Sequence, residues 1–420
     1  MRRGRQGFRS ALLRGGLLYV LSSVGVWGFS ARLWCQPGWR WEDIVTYSDG
    51  RDARCVEVTP REVIVATGEG LWRWDRFTMT PLEPWVMGVG WERAIDLRGG
   101  RVILWHPETQ TLWLATRSQL LYFRTDVERW KVFDYSGALI TSLGDAGSEI
   151  WVEKDKRIEV LDGYTLASLG PPSDRERREV RWQGRRGWKP HSYPPYRERD
   201  LSLRFSSRDG RLEDRDWSTF QPVYDLADEE FQRRYICYPG FGLGVGDEKT
   251  MSIEFFQLGP SGKDVRALAL EDDGTVWIGG NNPDPREGIS LWDRQTGTWR
   301  RFGWRLTPGI KDQSVNDIAA EGGQVYFATR GGLVVYDRNE DRFRTRDRLS
   351  GLAGDFIWTV RIFGGWLLVG SDQGVNRVRF SPELILRAGD KILDQMRSVQ
   401  IAVEKDSAWV AGGEGVFQTG

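Results

Sequence analysis

Histidine is nearly missing from this 420-residue chain: only His106 and His191 occur, far apart and in unlike contexts. A histidine acid–base pair or a multi-histidine metal site is all but excluded on that count. Cysteine is as sparse. Cys35, Cys55 and Cys237 have no metal-site spacing and cannot all pair with one another. A Cys55–Cys237 disulfide is compatible with an exported protein, and so are three buried or idle thiols. Net charge is absent too, with 59 basic residues against 59 acidic ones, so the whole molecule is not an electrostatic nucleic-acid binder and any basic function is local. No glycine-rich phosphate loop precedes a helix, and no haem or zinc spacing occurs. No cofactor and no metal are expected.

Long apolar runs are also lacking. The longest candidate, "LLYVLSSVGVWGF" (17–29), has 13 residues and follows the basic stretch "MRRGRQGFRSALLRGG". Basic then apolar is the pattern of an export signal. Thirteen residues fall short of the roughly 20 that span a bilayer, which favours a cleaved signal, with Gly28 and Ser30 small enough for the cleavage positions. Counting every uncharged residue over 15–31 reaches the lower limit of a span, so residues 1–30 read as a signal peptide or a signal anchor. The residues "RLW" before Cys35 are too bulky and basic for a lipoprotein site. The expected location is periplasmic or extracellular, with membrane association through residues 15–31 as the variant.

What the chain has in excess is tryptophan and glycine, 22 and 50 residues. Large rings between sheets and tight turns between short strands are what an all-β repeat protein uses. One short strand recurs eight times. It reads "REVIVAT" (61–67), "TQTLWLAT" (109–116), "SEIWVEK" (148–154), "RRYICYP" (233–239), "DGTVWIGG" (273–280), "GQVYFAT" (323–329), "GWLLVGS" (365–371) and "SAWVAGG" (407–413). Their centres are Ile64, Trp113, Trp151, Ile236, Trp277, Tyr326, Leu368 and Trp409, at steps of 49, 38, 85, 41, 49, 42 and 41 residues, which outside the one long step cluster around the period of a four-stranded propeller blade. Residues 264–303 spell one unit in full, with "VRALAL", the turn "EDDGT", "VWIGG", "GISLWD", the turn "RQTG" and "TWRRFG".

The expected fold is all-β: a single β-propeller of four-stranded blades over 38–420. Eight blades are expected, with seven the alternative. The repeated aromatic is expected to pack between adjacent sheets. The last unit (398–420) supplies three strands and "GWRWEDIVTYSDG" (38–50) looks like a lone outer strand, so the ring is expected to close by N- and C-terminal strands sharing a blade. The 85-residue step between Trp151 and Ile236 marks 171–231 as an insertion or a degenerate blade.

The repeats resemble those of the two-component-regulator propeller family, in which an apolar strand, a D-x-G turn, an aromatic-centred strand, Gly-Leu and an aromatic-Asp follow one another. "ALALEDDGTVWIGG…GISLWD" and "DIAAEGGQVYFATRGGLVVYD" carry the resemblance well, and "VIVATGEGLWRWD" and "LLVGSDQGVNRV" in part. It implies a propeller that senses or binds a ligand outside the cytoplasm. This chain carries no kinase or response domain up to Gly420, so it looks like the sensing half standing alone.

Binding is expected on the blade face where loops vary. Candidate ligand-binding residues are Arg266, Asn316 and Trp358, entering first strands, and Glu69, Arg330 and Asp372, in loops after second strands. A second candidate surface lies in 175–199, where nine basic and three acidic residues interleave with aromatics. Arg177, Arg178, Arg181, Trp182, Arg185, Arg186 and Trp188 are its candidate partner- or anion-binding groups. No catalytic residue is assigned. The "DDGTVW" stretch resembles the Asp-box turn of sialidases, a structural element, and turn chemistry accounts for its aspartates. The expected function is a non-catalytic binding or scaffolding module for a protein partner or a glycan. The alternatives are a propeller-type lyase or glycosidase, and the ligand-sensing component of a signalling system with a separate kinase.

Overall fold

The computed structural model describes residues 46–419 except 48–49, 92–93, 118, 135–137, 173–178, 216–217, 263, 282–287, 380–389, 395–397, 405–406 and 413–414. The signal segment, Cys35, most of the 38–50 strand, Arg177 and Arg178 therefore lie outside the described residues. Val45–Gly420 forms one compact unit. Within it the described residues hold no α-helix, and regular structure is a series of antiparallel sheets, propeller-like in strand pattern. No helix among them is long and apolar enough to cross a membrane.

Each of the eight repeated strands is the second strand of its own sheet. In chain order these strands are Glu62–Thr67, Thr111–Ala115, Glu149–Lys154, Arg233–Tyr238, Val276–Gly280, Gln324–Thr329, Trp366–Ser371 and Ser407–Gly412. The eight sheets begin with Ala53–Val58, Val102–His106, Ile140–Asp145, Tyr224–Asp228, Val265–Leu270, Val315–Glu321, Ile357–Phe363 and Ser398–Glu404. Strands follow one another across each sheet as in a meander. Turn chemistry sets this order. In "EDDGT", Gly274 takes φ 87°, a conformation that suits glycine, while its N–H donates to the Glu271 carbonyl.

Trp113, Trp277 and Tyr326 are buried at the repeated position. Burying such a ring removes on the order of 200 Å² of surface from water, worth roughly 5 kcal/mol as an upper figure. A buried indole N–H must still find an acceptor. Trp113 Nε1 donates to Thr111 Oγ1 at 3.0 Å, Trp151 Nε1 to Glu149 Oε2 at 3.1 Å and Trp277 Nε1 to Glu271 Oε1 at 2.5 Å. A polar residue just ahead of the ring thus lets tryptophan occupy an interior site.

Contacts between first strands give the sheet order. The fifth sheet packs on the sixth, the sixth on the seventh and the seventh on the eighth. The first sheet packs on the second and also on the fourth, and the second packs on the third. The blade shared between termini does not form among the described residues. The eighth sheet has three strands, ending with Gly415–Thr419. The Tyr47 ring instead packs tilted against Trp292 and Trp299 of the fifth sheet, with centroids 4.4 Å and 5.7 Å away, and Gly50 N–H donates to the Leu258 carbonyl at 2.8 Å.

The long step between Trp151 and Ile236 holds no further four-stranded sheet among the described residues. Arg181–Gly184 adds an edge to the third sheet beside Ile140–Asp145, and Arg197–Glu198 runs parallel beside Ser252–Phe256 of the fourth. Three two-residue strands between 204 and 220 make a small sheet of their own. Residues 224–228, also in this stretch, are the first strand of the fourth sheet.

Candidate functional site

A recurrent β-bulge positions the candidate residues. In six sheets the register slips at the second residue of the first strand, leaving Arg54, Thr141, Arg266, Asn316, Trp358 and Val399 outside the ladder. A bulge re-aims the side chain that it frees. The first residue of each such strand pairs with the end of the second strand: Ala53 with Thr67, Val315 with Thr329, Ile357 with Ser371. The turns bearing Glu69, Arg330 and Asp372 therefore lie at the same end of their sheets as the bulges. Those turns share one device. Thr67, Thr329 and Ser371 each donate a side-chain O–H to the carbonyl of the glycine three residues on. Gly332 in the second of these has φ 122°, and a Cβ there would stand 2.3 Å from the Arg346 carbonyl oxygen.

Four of the six candidates meet around the start of the seventh sheet. Asn316 Nδ2 donates to the Ile357 carbonyl at 2.7 Å. The Arg330 guanidinium stands 5.7 Å from the Phe356 ring centroid. Phe356 and Trp358 have ring centroids 4.3 Å apart, and Trp358 is 38% exposed. Asp372 N–H donates to the Phe356 carbonyl at 3.0 Å. Asp372 Oδ2 accepts from Gln373 Nε2 at 3.2 Å, whereas its Oδ1 is buried with no hydrogen-bond partner among the described residues. Beneath them Asp317 fixes the strand, accepting from Thr359 Oγ1 at 2.8 Å, from Val360 N–H at 3.0 Å and from Arg361. The result is an aromatic step flanked by a guanidinium and by a carboxylate with an unused lone pair. Phe356 and Arg54 were not singled out from sequence; the bulge register shows Arg54, and the ring contact with Trp358 shows Phe356.

The other two candidates belong elsewhere. Arg266, on the fifth sheet, pairs with Asp264 at 2.9 Å. Glu69, on the first, lies near enough to raise the Arg98 guanidinium, whose largest partner is Asp96.

The basic segment is largely spent on internal partners. Arg181 donates to buried Glu57 at 3.0 Å and to the Trp105 carbonyl. Trp182 packs edge-on against Trp151 at 6.2 Å, and Arg186 covers Trp182 while pairing with Glu153 at 2.8 Å. Trp188 Nε1 donates to Asp225 Oδ1 at 2.5 Å. Arg185 is exposed. Glu57 also accepts from Val58 N–H, Trp105 N–H and Gln183 Nε2. Burial pushes the Glu57 carboxyl up, against the pull of Arg181 and of the two backbone N–H donors.

The disulfide allowed by the sequence is not formed: Cys55 and Cys237 are free buried thiols. Cys55 Sγ lies 4.0 Å from the Ile103 carbonyl and 3.8 Å from Gln183 Oε1, and burial pushes its thiol up to about 12. A thiol so disfavoured as thiolate is inert. Among the described residues no group of three or more His, Cys, Asp or Glu side chains could hold a metal ion.

No family model matches the chain. No curated protein matches it either. Among solved structures it is similar to the extracellular domain of the one-component system BT4673 from B. thetaiotaomicron, at 13% identity and a TM-score of 0.32 over 88% of this chain and 59% of that one. It is similar also to PorZ, a surface component of the type-IX secretion system of Porphyromonas gingivalis, at 12% identity and a TM-score of 0.30 over 87% of this chain and 56% of that one. A third is the tricorn protease, at 14% identity and a TM-score of 0.30 over 88% of this chain and 44% of that one. The chain thus spans little more than half the length of the first two. TM-scores this low decide neither fold nor ligand.

Proposed function

We propose that the chain is an exported, non-catalytic binding module that takes a glycan on the bulge-bearing end of its sixth and seventh sheets. The observation that carries the reading is the pairing of the Phe356–Trp358 step, exposed at Trp358, with Asp372 Oδ1, a buried acceptor that has no hydrogen-bond partner among the described residues. A lone pair buried without a donor costs free energy; Oδ1 packs against Gly354, so a ligand hydroxyl recovers that cost only by displacing this turn. Sugar rings offer the match: an apolar face for an indole and outward hydroxyls for a carboxylate and a guanidinium. A protein loop presenting a hydroxyl is the second occupant of the same chemistry. Export rests on the basic-then-apolar segment over 1–30.

The test is calorimetric titration of the full chain with a panel of neutral and uronate oligosaccharides. Binding by at least one member is expected, weakened about tenfold or more in Trp358→Ala and in Asp372→Ala. A panel that gives no heat, or binding that survives both substitutions, contradicts the glycan reading.

A further inference from the structure

The fifth to eighth sheets stack in one direction through three junctions of one kind. At each, the repeated-strand residue of one sheet shares a buried cluster with a recurring set of positions in the next. Trp277, Ala267 and Phe302 meet Ile318, Phe327 and Tyr336. Tyr326, Ala328 and Val335 meet Val360, Leu367 and Val369. Leu368 and Val375 meet Ile401, Ala408 and Val410. The fourth position of the bulged first strand is thus buried at Ile318, Val360 and Ile401, and so are its counterparts Val56 and Leu143 in the first and third sheets.

The stack ends on two faces that break this rule. Leu268, the same position in the fifth sheet, is 64% exposed, as is Leu270. At the other end Trp409, the repeated aromatic of the eighth sheet, is 38% exposed, with Val416 exposed beside it. Ladder register puts Ala402 opposite Trp409, as it puts Ala269 opposite Trp277 and Ala319 opposite Tyr326. One end of the stack therefore carries an unused donor face and the other an unused acceptor face, of a junction that the chain already makes three times.

We infer that the Ala402–Trp409–Val416 face of one molecule docks on the Leu268–Leu270 face of a second copy of this chain, continuing the stack across the interface. Outer strands of the fifth sheet are already covered by Tyr47 and Trp72, which leaves only its inner strand for the partner. The Leu268–Leu270 face is apolar, and the Ala402–Trp409–Val416 patch is apolar with a polar edge of Gln400, Glu404 and Gln418; both are contiguous with a buried junction core and related head to tail. A two-fold pair makes the junction twice.

Analytical ultracentrifugation of the full chain over a wide concentration range tests this. Reversible self-association is expected in the wild type. Leu268→Asp and Trp409→Asp are each expected to weaken it about tenfold or more while leaving the far-ultraviolet circular dichroism of the folded monomer unchanged, because neither side chain is buried in the monomer. Each variant retains one good face, so an equimolar mixture of the two is expected to associate where neither does alone. A wild type that stays monomeric, a variant that associates normally, or a mixture that stays monomeric overturns the head-to-tail junction. Trp358→Ala, at the proposed ligand end, leaves association unchanged if the two surfaces are separate, and loss of association in that variant also overturns it.

Discussion

Arg338 Nη1 stands 2.6 Å from Asp273 Oδ2, and its Nη2 stands 2.6 Å from Glu271 Oε1. One guanidinium at the end of a sixth-sheet strand thereby holds the first turn of the fifth sheet, and Glu271 in turn accepts from buried Trp277. Turn aspartates that look decorative in sequence are latches between sheets. Asp273 also accepts from Thr275 N–H, and that bond, with Arg338 second, holds its carboxyl down to about 2.

Arg338→Ala is therefore expected to lower stability by about 0.5–1 kcal/mol, a figure discounted for the solvent that reaches both partners. The sign with pH follows from the depressed carboxyl. Its stabilisation is fully present above the ordinary value of 3.8 and is lost as pH falls towards about 2. Urea melts of wild type and variant should converge in that window, and a constant difference down to acid would contradict the latch.

Arg181→Met strands Glu57 in the interior without its counter-charge. A loss of about 3 kcal/mol is expected at neutral pH. Glu57 has its carboxyl raised above the ordinary 4.5, so the folded state holds a proton that the unfolded state releases between the two values. Stability contributed by that proton is present below 4.5 and lost as pH rises through the folded value. The variant, which raises the carboxyl further, should lose less stability in mild acid than at pH above neutrality, as read by denaturant melts.

Two tryptophans separate binding from folding. Trp277→Ala empties a fully buried site between two sheets and is expected to cost about 3–5 kcal/mol. Trp358→Ala removes a ring from a bulge and is expected to change stability by about 0.5 kcal/mol or less while removing oligosaccharide binding. Equal losses of stability in the two variants would place Trp358 in the core instead.

Gly332→Ala puts a Cβ on a residue at φ 122° and within 2.3 Å of the Arg346 carbonyl. Destabilisation of about 1 kcal/mol or more is expected from the melting temperature, since backbone must move to admit the methyl. A neutral outcome would mean that the turn carrying Arg330 is free to relax.

Much of this architecture is legible in the sequence because each sheet repeats the same demand. A strand that buries a large residue between neighbours must carry Trp113, Trp277 or Tyr326 at a fixed place, with Thr111 or Glu271 near enough to satisfy an indole. The bulge is not legible. It depends on which residue of one strand faces which of the next, so Arg54 comes to notice only through register, and Phe356 only through its ring contact with Trp358. Trp358, Arg330, Asn316 and Asp372 are recoverable one sheet at a time, whereas their meeting is a property of packing. The internal partners of the basic run over 175–199 are silent for the complementary reason: Glu57, Glu153 and Asp225, which engage Arg181, Arg186 and Trp188, lie on strands far away in the chain. Sheet order is likewise silent in sequence, as the contact of the first sheet with the fourth shows.

Amide hydrogen exchange of the full chain, with and without the pooled oligosaccharide panel, tests the central claim most directly. The account predicts slower exchange confined to 354–358 and to the turns at 330–332 and 371–373, abolished by Trp358→Ala. Protection appearing instead over 181–188, or none at all in a folded sample, would contradict it.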